Sequence, residues 1–280
     1  MKFMIMARNA WARFCGGLAR ILELILEGVV QIGSFAGGGG ILSNAFVRKR
    51  KPEKLIRSRF LNLIRIEKSP YSQINADLFA RMTQELFSEK INKNFVEAGA
   101  CDGIINSNTK YLEEFGWNGI LVEPIPGFHA KLVRNRTHAR SYNVALHAQS
   151  NLLLDFIEAS NLQLSSFTSH RPRDLHENHR MGNIIQVKTL SLHDLFQAQG
   201  DNYECDYLSL DLEGAEYLVL KKFFSDADKR LYPKIITVEH NYSKNRGLIK
   251  ELLSTAGYTQ VLRFMSGHDS WWILDTVLRS

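Results

Sequence analysis

Short apolar runs alternate along this chain with longer stretches whose apolar residues recur every three or four positions. Runs at 94–98, 119–123, 140–145, 151–157, 184–190, 205–211, 235–240, 258–264 and 270–275 are brief and near-continuous, which predicts strands. Helical spacing is found at 52–67, 75–90, 107–115, 127–135, 192–199, 214–223 and 246–256. Strands alternating with helices predict an α/β fold, a mostly parallel sheet with helices on both faces. The last two strands, joined by MSGHDS, predict an antiparallel hairpin. The expected organisation is an N-terminal extension over 1–51, a helical cap over 52–90 and a main domain over 91–280.

Three of the strands end in acid at a turn: NFVEAGACDG (94–103), GILVEP (119–124) and YLSLDLEGAE (207–216). Ligands of parallel sheets bind beyond the carboxyl ends of the strands, so three acidic ends predict one polar cleft. Gly99 and Gly103 allow a ligand to approach the backbone. The spacing Glu-x-Gly-x-x-x-Gly differs from the Gly-x-Gly-x-x-Gly turn that seats a pyrophosphate. Glu97, entering the turn, disfavours a pyrophosphate and suits a cationic or hydroxyl-bearing ligand. Glu123 follows at about the 20-residue offset where a carboxylate accepts hydrogen bonds from ribose hydroxyls. Together these favour an adenosine with a positive neighbour, such as S-adenosylmethionine, over NAD. Ordinary turn glycines and a solvated strand end are the plainer reading of each motif alone.

The segments VEAGACDG, ILVEPIPGFHAKL, YNVALHA, YLSLDLEGAEYLVLKKF and IITVEHN, in that order, resemble the FkbM-type methyltransferases over about residues 90–275. The resemblance implies a class I methyltransferase (Rossmann-like) fold, S-adenosylmethionine as cofactor, and O-methylation of a sugar, glycan or secondary-metabolite hydroxyl. Glu97 stands where Asp is frequent in that family, and Cys101-Asp102 occupy the turn. The implied cofactor-binding set is Glu97, Gly99, Ala100, Asp102, Gly103, Glu123, Pro124, Asn143, Asp211 and Glu213. A non-catalytic binding or trafficking protein that retains the fold is the alternative.

Methyl transfer to an alcohol needs a base near the hydroxyl. Candidates are His240, whose ordinary pKa of about 6.5 suits the task, then Asp211, with Glu239 beside them. His240 reads equally as a satisfied structural histidine. Glu216 reads as a helix-capping or loop-anchoring residue. Asp211, Glu213 and Glu239 are hard donors of the kind Mg²⁺ takes, but nothing in their spacing demands a metal and none is expected. The loop 166–180, with His170, Arg171, Arg173, His176, His179 and Arg180, reads as a clamp for an anionic sugar or as a solvated basic loop, with a zinc site from its three histidines the weaker alternative since no cysteine accompanies them. Trp271 and Trp272 read as one buried and one at the sheet surface, or with His268 as acceptor-pocket lining.

Charge changes the picture only at the N-terminus. Residues 1–54 hold nine basic and three acidic side chains, which accounts for the whole net charge of +6. The rest is balanced, so no nucleic-acid partner is expected. Residues 10–31 carry an amphipathic helical pattern, 33–40 a Gly-rich hinge, and Arg48–Lys51 a basic cluster. This predicts a cytoplasmic protein with peripheral membrane contact through residues 10–51, or a helix that binds a partner. Three widely spaced cysteines exclude a disulfide framework.

Overall fold

The computed structural model describes residues 41–159, 165–167, 182–263 and 265–279. The chain divides into two units, Met1–Glu53 and Lys54–Ser280. The amphipathic pattern at 10–31 and the Gly-rich hinge lie outside the described residues, as does most of the basic loop, from 168 to 181. No helix among the described residues is long and apolar enough to cross a membrane.

The second unit is built on a seven-stranded sheet. Its strands are β1 (Asn94–Ala98), β2 (Asn118–Val122), β3 (Arg140–Tyr142), β8 (Tyr207–Leu210), β9 (Ile235–Glu239), β10 (Tyr258–Val261) and β11 (Asp269–Leu274). The spatial order is β10-β11-β9-β8-β1-β2-β3. Strands β3 to β9 pair in parallel, while β11 is antiparallel to both β9 and β10. This is the class I methyltransferase architecture, with its reversed penultimate strand in the sheet.

Alternation along the strands distributes apolar residues to two faces. Val96, Ala98, Leu208, Leu210, Ile236, Val238 and Trp272 form one core, packed under helices Leu192–Gln197, Glu216–Asp226 and Asn245–Thr255. Phe95, Tyr207, Ile235, Trp271 and Ile273 form the other, covered by helix Ala76–Leu86 and by Ile56 and Phe60. Trp271 stacks on Phe79 at 4.8 Å, and Phe60 meets it edge-on at 5.3 Å. Both tryptophans are therefore buried, one per face, and neither lies at the sheet surface or in a pocket. A strand sandwiched between helix layers has no solvent face to offer.

Three predicted boundaries moved. The helix expected from 52 begins at Ile41 and passes through Pro52. The one expected over 107–115 shortens to Lys110–Glu113, because residues 99–109 form a long hydrogen-bonded turn. The strand expected over 140–145 splits. Its second part, β4 (Ala145–Leu146), leaves for a smaller sheet with β5 (Leu153–Ala159), β6 (Ser166–Phe167) and β7 (Gly182–Leu190), ordered β4-β7-β5-β6. Ile125, Ala145, Phe156, Phe167, Val187 and Ala215 form a third apolar cluster between this sheet and the carboxyl ends of the main one.

Candidate active site

After β1 the chain steps outward to β2 and β3, then returns to β8 on the other side of β1. Crevices open where strand order reverses in this way. A partly open cleft lies there. Its floor carries Glu97, Gly99, Ala100, Cys101 and Asp211, and its side Glu123, Pro124 and Ile125. The small sheet supplies the opposite wall through Ala145, Leu146, Phe156, Ser165 and Phe167.

The turn after β1 is shaped by close contact. Gly99 has φ +82°, and a Cβ there would lie 2.0 Å from the carbonyl oxygen of Asp211. The backbone amides of Gly99 and Ala100 both donate to Val122 O. Gly103, at φ +78°, lets the helix Pro126–Asn135 approach: an added Cβ would meet Leu132 at 2.5 Å and Arg136 at 2.6 Å. Asp102 accepts from the amides of Ile104 and Ile105, at 2.9 Å each, and so folds the turn instead of facing the cleft.

Glu97 is also committed inward. Its carboxylate accepts from Ser107 Oγ at 2.8 Å, Asn108 N at 2.6 Å and Thr109 Oγ1 at 2.5 Å. Arg136, whose side chain is wholly buried, donates to Glu113, to Gly103 O, to Ser107 and to Thr109, and lies 3.7 Å from Glu97. Glu97 and Arg136 thus clamp the loop 99–109 from beneath. No sequence signal pointed to Arg136, since its partners come from strand β1, the turn 99–109 and the helix Lys110–Glu113, up to 39 residues away in sequence.

Glu123 is positioned differently. It is 3% exposed, and its two oxygens accept from Cys101 N at 2.9 Å and Ile125 N at 2.8 Å. Asn143 reinforces this corner by donating to the carbonyls of Glu123 and Pro124, without lining the cleft. Burial pushes the Glu123 carboxyl up to about 8, with the Asp211 charge adding to the shift against the two amides. The second lone pair of each oxygen remains for a ligand hydroxyl.

Asp211 and Glu213 end the floor at the carboxyl end of β8, and Glu213 is held at φ +52°. Glu216 is buried and accepts from the amides of Leu212 and Gly214, which makes it the anchor of this turn. Its carboxyl is raised to about 7 by burial. Glu239 is raised well above the ordinary carboxyl range by burial and then by the charges of Asp211, Glu213 and Glu216; it shares a hydrogen bond with Asp211. Carboxylate oxygens of Asp211, Glu216 and Glu239 lie within 4.8 Å of one another, a group able to hold a hard cation.

His240 stands apart from this cluster and does not line the cleft. It is 4% exposed, and Nδ1 accepts from Tyr242 N at 3.2 Å. Burial, followed by the charge of Arg246, pushes its pKa down to about 4. A buried ring bonded within the turn after β9, outside the cleft lining, is not placed for the base role expected of it. Of the sequence-predicted set, the cleft gathers Glu97, Gly99, Ala100, Glu123, Pro124, Asp211 and Glu213. Asp102, Gly103, Asn143, Glu239 and His240 stand behind the lining. The aromatic wall of Phe156 and Phe167 was missed, because pairing across the small sheet brings those rings together at 5.3 Å.

The residues present fit S-adenosylmethionine: a buried carboxylate beyond β2 for a ribose, an acidic floor for a sulfonium, and an apolar wall for a flat ring. A family model described as the methyltransferase FkbM domain matches residues 97–269. No curated protein matches the chain. Among solved structures the chain is similar to a TehB-like SAM-dependent methyltransferase from Corynebacterium glutamicum, at 10% identity and TM-score 0.36, covering 79% of this chain and 97% of that one. It is also similar to an O-methyltransferase from Bacillus cereus in complex with SAH, at 16% identity and TM-score 0.35, covering 81% and 89% respectively. A third is the 1,6-didemethyltoxoflavin-N1-methyltransferase of Burkholderia thailandensis, at 12% identity and TM-score 0.32, covering 85% and 90%.

Proposed function

The chain belongs to the FkbM methyltransferase family, and from that membership we propose that it catalyses S-adenosylmethionine-dependent O-methylation of a hydroxyl on a sugar, glycan or secondary metabolite. The observation that carries the reading is Glu123. A buried carboxylate fixed by two amides beside a glycine turn is built to receive a diol, not a phosphate.

In this reading Glu123 holds the ribose hydroxyls, Gly99 and Ala100 leave the backbone open to the cofactor, and Phe156 and Phe167 exclude water. When bound, S-adenosylmethionine supplies a sulfonium methyl for in-line attack by an acceptor oxygen. Alignment of the two reactants supplies much of the rate. Asp211, on the cleft floor and exposed, would take the hydroxyl proton as the acceptor oxygen gains the methyl group and the methyl–sulfur bond breaks, the cofactor leaving as the neutral thioether. Residues 10–51 supply peripheral contact with an anionic membrane surface in the cytoplasm.

Titration calorimetry of the full chain with S-adenosylmethionine and with NAD, on wild type and Glu123→Ala, tests the cofactor. Micromolar binding of the first alone, lost in the variant, supports the proposal. A folded chain that binds neither refutes it. Transfer of a labelled methyl group to a panel of sugar alcohols then tests the acceptor class.

A further inference from the structure

The helix Ile41–Ile66 enters the second unit at Lys54 and is two-sided from there on. Ile56 and Phe60 are buried, and Phe60 meets Trp271 edge-on at 5.3 Å and Phe79 at 6.3 Å, so this stretch is fixed to the domain core. An α-helix turns by about 100° per residue, which puts Lys54, Leu55, Arg59, Arg65 and Ile66 in one arc of about 140°, away from Ile56 and Phe60. All five are exposed, Leu55 by 45% and Ile66 by 86%. Only Ser58 and Asn62 stand between them, and both are exposed as well.

Charge on this face has one sign. Residues 54–66 hold four cations and no acid, while residues 55–280 as a whole are balanced. Lys54, Arg59 and Arg65 have no acidic side chain within ion-pair distance among the described residues. Unneutralised cations set among two bared aliphatic side chains suit a surface that offers anionic headgroups and an acyl boundary together. A nucleic-acid backbone matches the cations but leaves Leu55 and Ile66 in water.

We propose that the exposed face of Lys54–Ile66 docks the folded domain on an anionic lipid bilayer. The inference rests on the membrane contact proposed above for residues 10–51 and goes beyond it by making the domain itself a part of that contact. Because Ile56 and Phe60 anchor the helix in the core, a bilayer held by this face orients the domain as well as retaining it. Contact confined to residues 10–51 requires nothing of Lys54, Arg59 or Arg65, which separates the two claims.

The test is co-sedimentation of the full chain with phosphatidylcholine vesicles, with and without phosphatidylserine. Calorimetric titration with S-adenosylmethionine and thermal melts run in parallel. Wild type is expected on the phosphatidylserine vesicles alone, with binding weakened by salt. The charge reversal Lys54→Glu/Arg59→Glu/Arg65→Glu loses at least tenfold in that binding although residues 10–51 are intact, and Leu55→Ser/Ile66→Ser loses at least threefold. Cofactor affinity stays within twofold of wild type in both. Should the reversal unfold, the milder Arg59→Gln/Arg65→Gln decides, with at least a threefold loss expected. Vesicle binding within twofold of wild type in the folded charge variants overturns the proposal and leaves the contact to residues 10–51. A wild type that binds duplex DNA and no vesicle assigns the face to nucleic acid and overturns it too. A wild type that binds neither overturns the membrane contact of residues 10–51 together with this docking face.

Discussion

Replacing Arg136 by Met removes the cation that clamps the cofactor turn while keeping most of the buried volume. Four hydrogen bonds go, to Glu113, Gly103 O, Ser107 and Thr109. Glu113 keeps Lys110 at 3.0 Å as its partner, so it is not stranded. Glu97 keeps its three donors but loses the only cation within ion-pair distance among the described residues. Breaking a buried pair from one side costs about 3–5 kcal/mol, and the surviving donors hold this case toward the lower bound. Global stability, read by urea denaturation of the full chain, is expected to fall by about 3 kcal/mol. The loop 99–109 loosens with it, so S-adenosylmethionine affinity falls at least tenfold, beyond any loss of folded protein. Arg136→Lys does not rescue, because one ammonium cannot span four acceptors spread around a fork. Glu113→Gln, which removes only one arm, costs about 1–2 kcal/mol. A loss below about 1 kcal/mol in Arg136→Met with cofactor affinity unchanged would refute the clamp.

Further expectations follow from the same geometry. Glu123 has a folded-state pKa of about 8 against an ordinary 4.5, so its charge opposes folding: the penalty is absent below pH 4.5, grows through the interval, and reaches at most about 5 kcal/mol above pH 8. The ligand-free protein should therefore lose stability as pH rises from 5 to 9, and Glu123→Gln should flatten part of that slope in thermal melts; an unchanged slope argues against the buried charge. Asp211→Asn is expected to lower kcat at least 100-fold, a loss larger than its effect on cofactor affinity. His240→Asn should instead lower the melting temperature and leave the pH–rate profile in place, and loss of a limb near pH 6–7 in that variant would restore His240 as the base. Gly99→Ala, forced to φ +82° with its Cβ against Asp211 O, is expected to abolish cofactor binding, checked by calorimetry on whatever folded fraction remains.

The sequence by itself determined the strand order of events: short apolar runs, acid at three carboxyl ends, and glycines where the backbone turns left-handed. These are local properties, since strand parity and left-handed φ depend on neighbouring residues only. They sufficed to bring Gly99, Glu123 and Asp211 to one crevice. What each carboxylate does there was decided by packing. Glu97 and Glu123 look alike in sequence, yet Glu97 faces hydroxyls and Arg136 while Glu123 faces two amides and the cleft; Glu216 anchors its turn, as its place before a helix suggested. His240 stood out in sequence as the first base candidate; only the fold shows its ring buried, bonded to the amide of Tyr242 and outside the cleft lining. The departure of β4 into a second sheet, which builds the aromatic wall, depends on partners some 40 residues away. Hydrogen-bond partners and desolvation are set by residues distant along the chain, and periodicity carries no record of them.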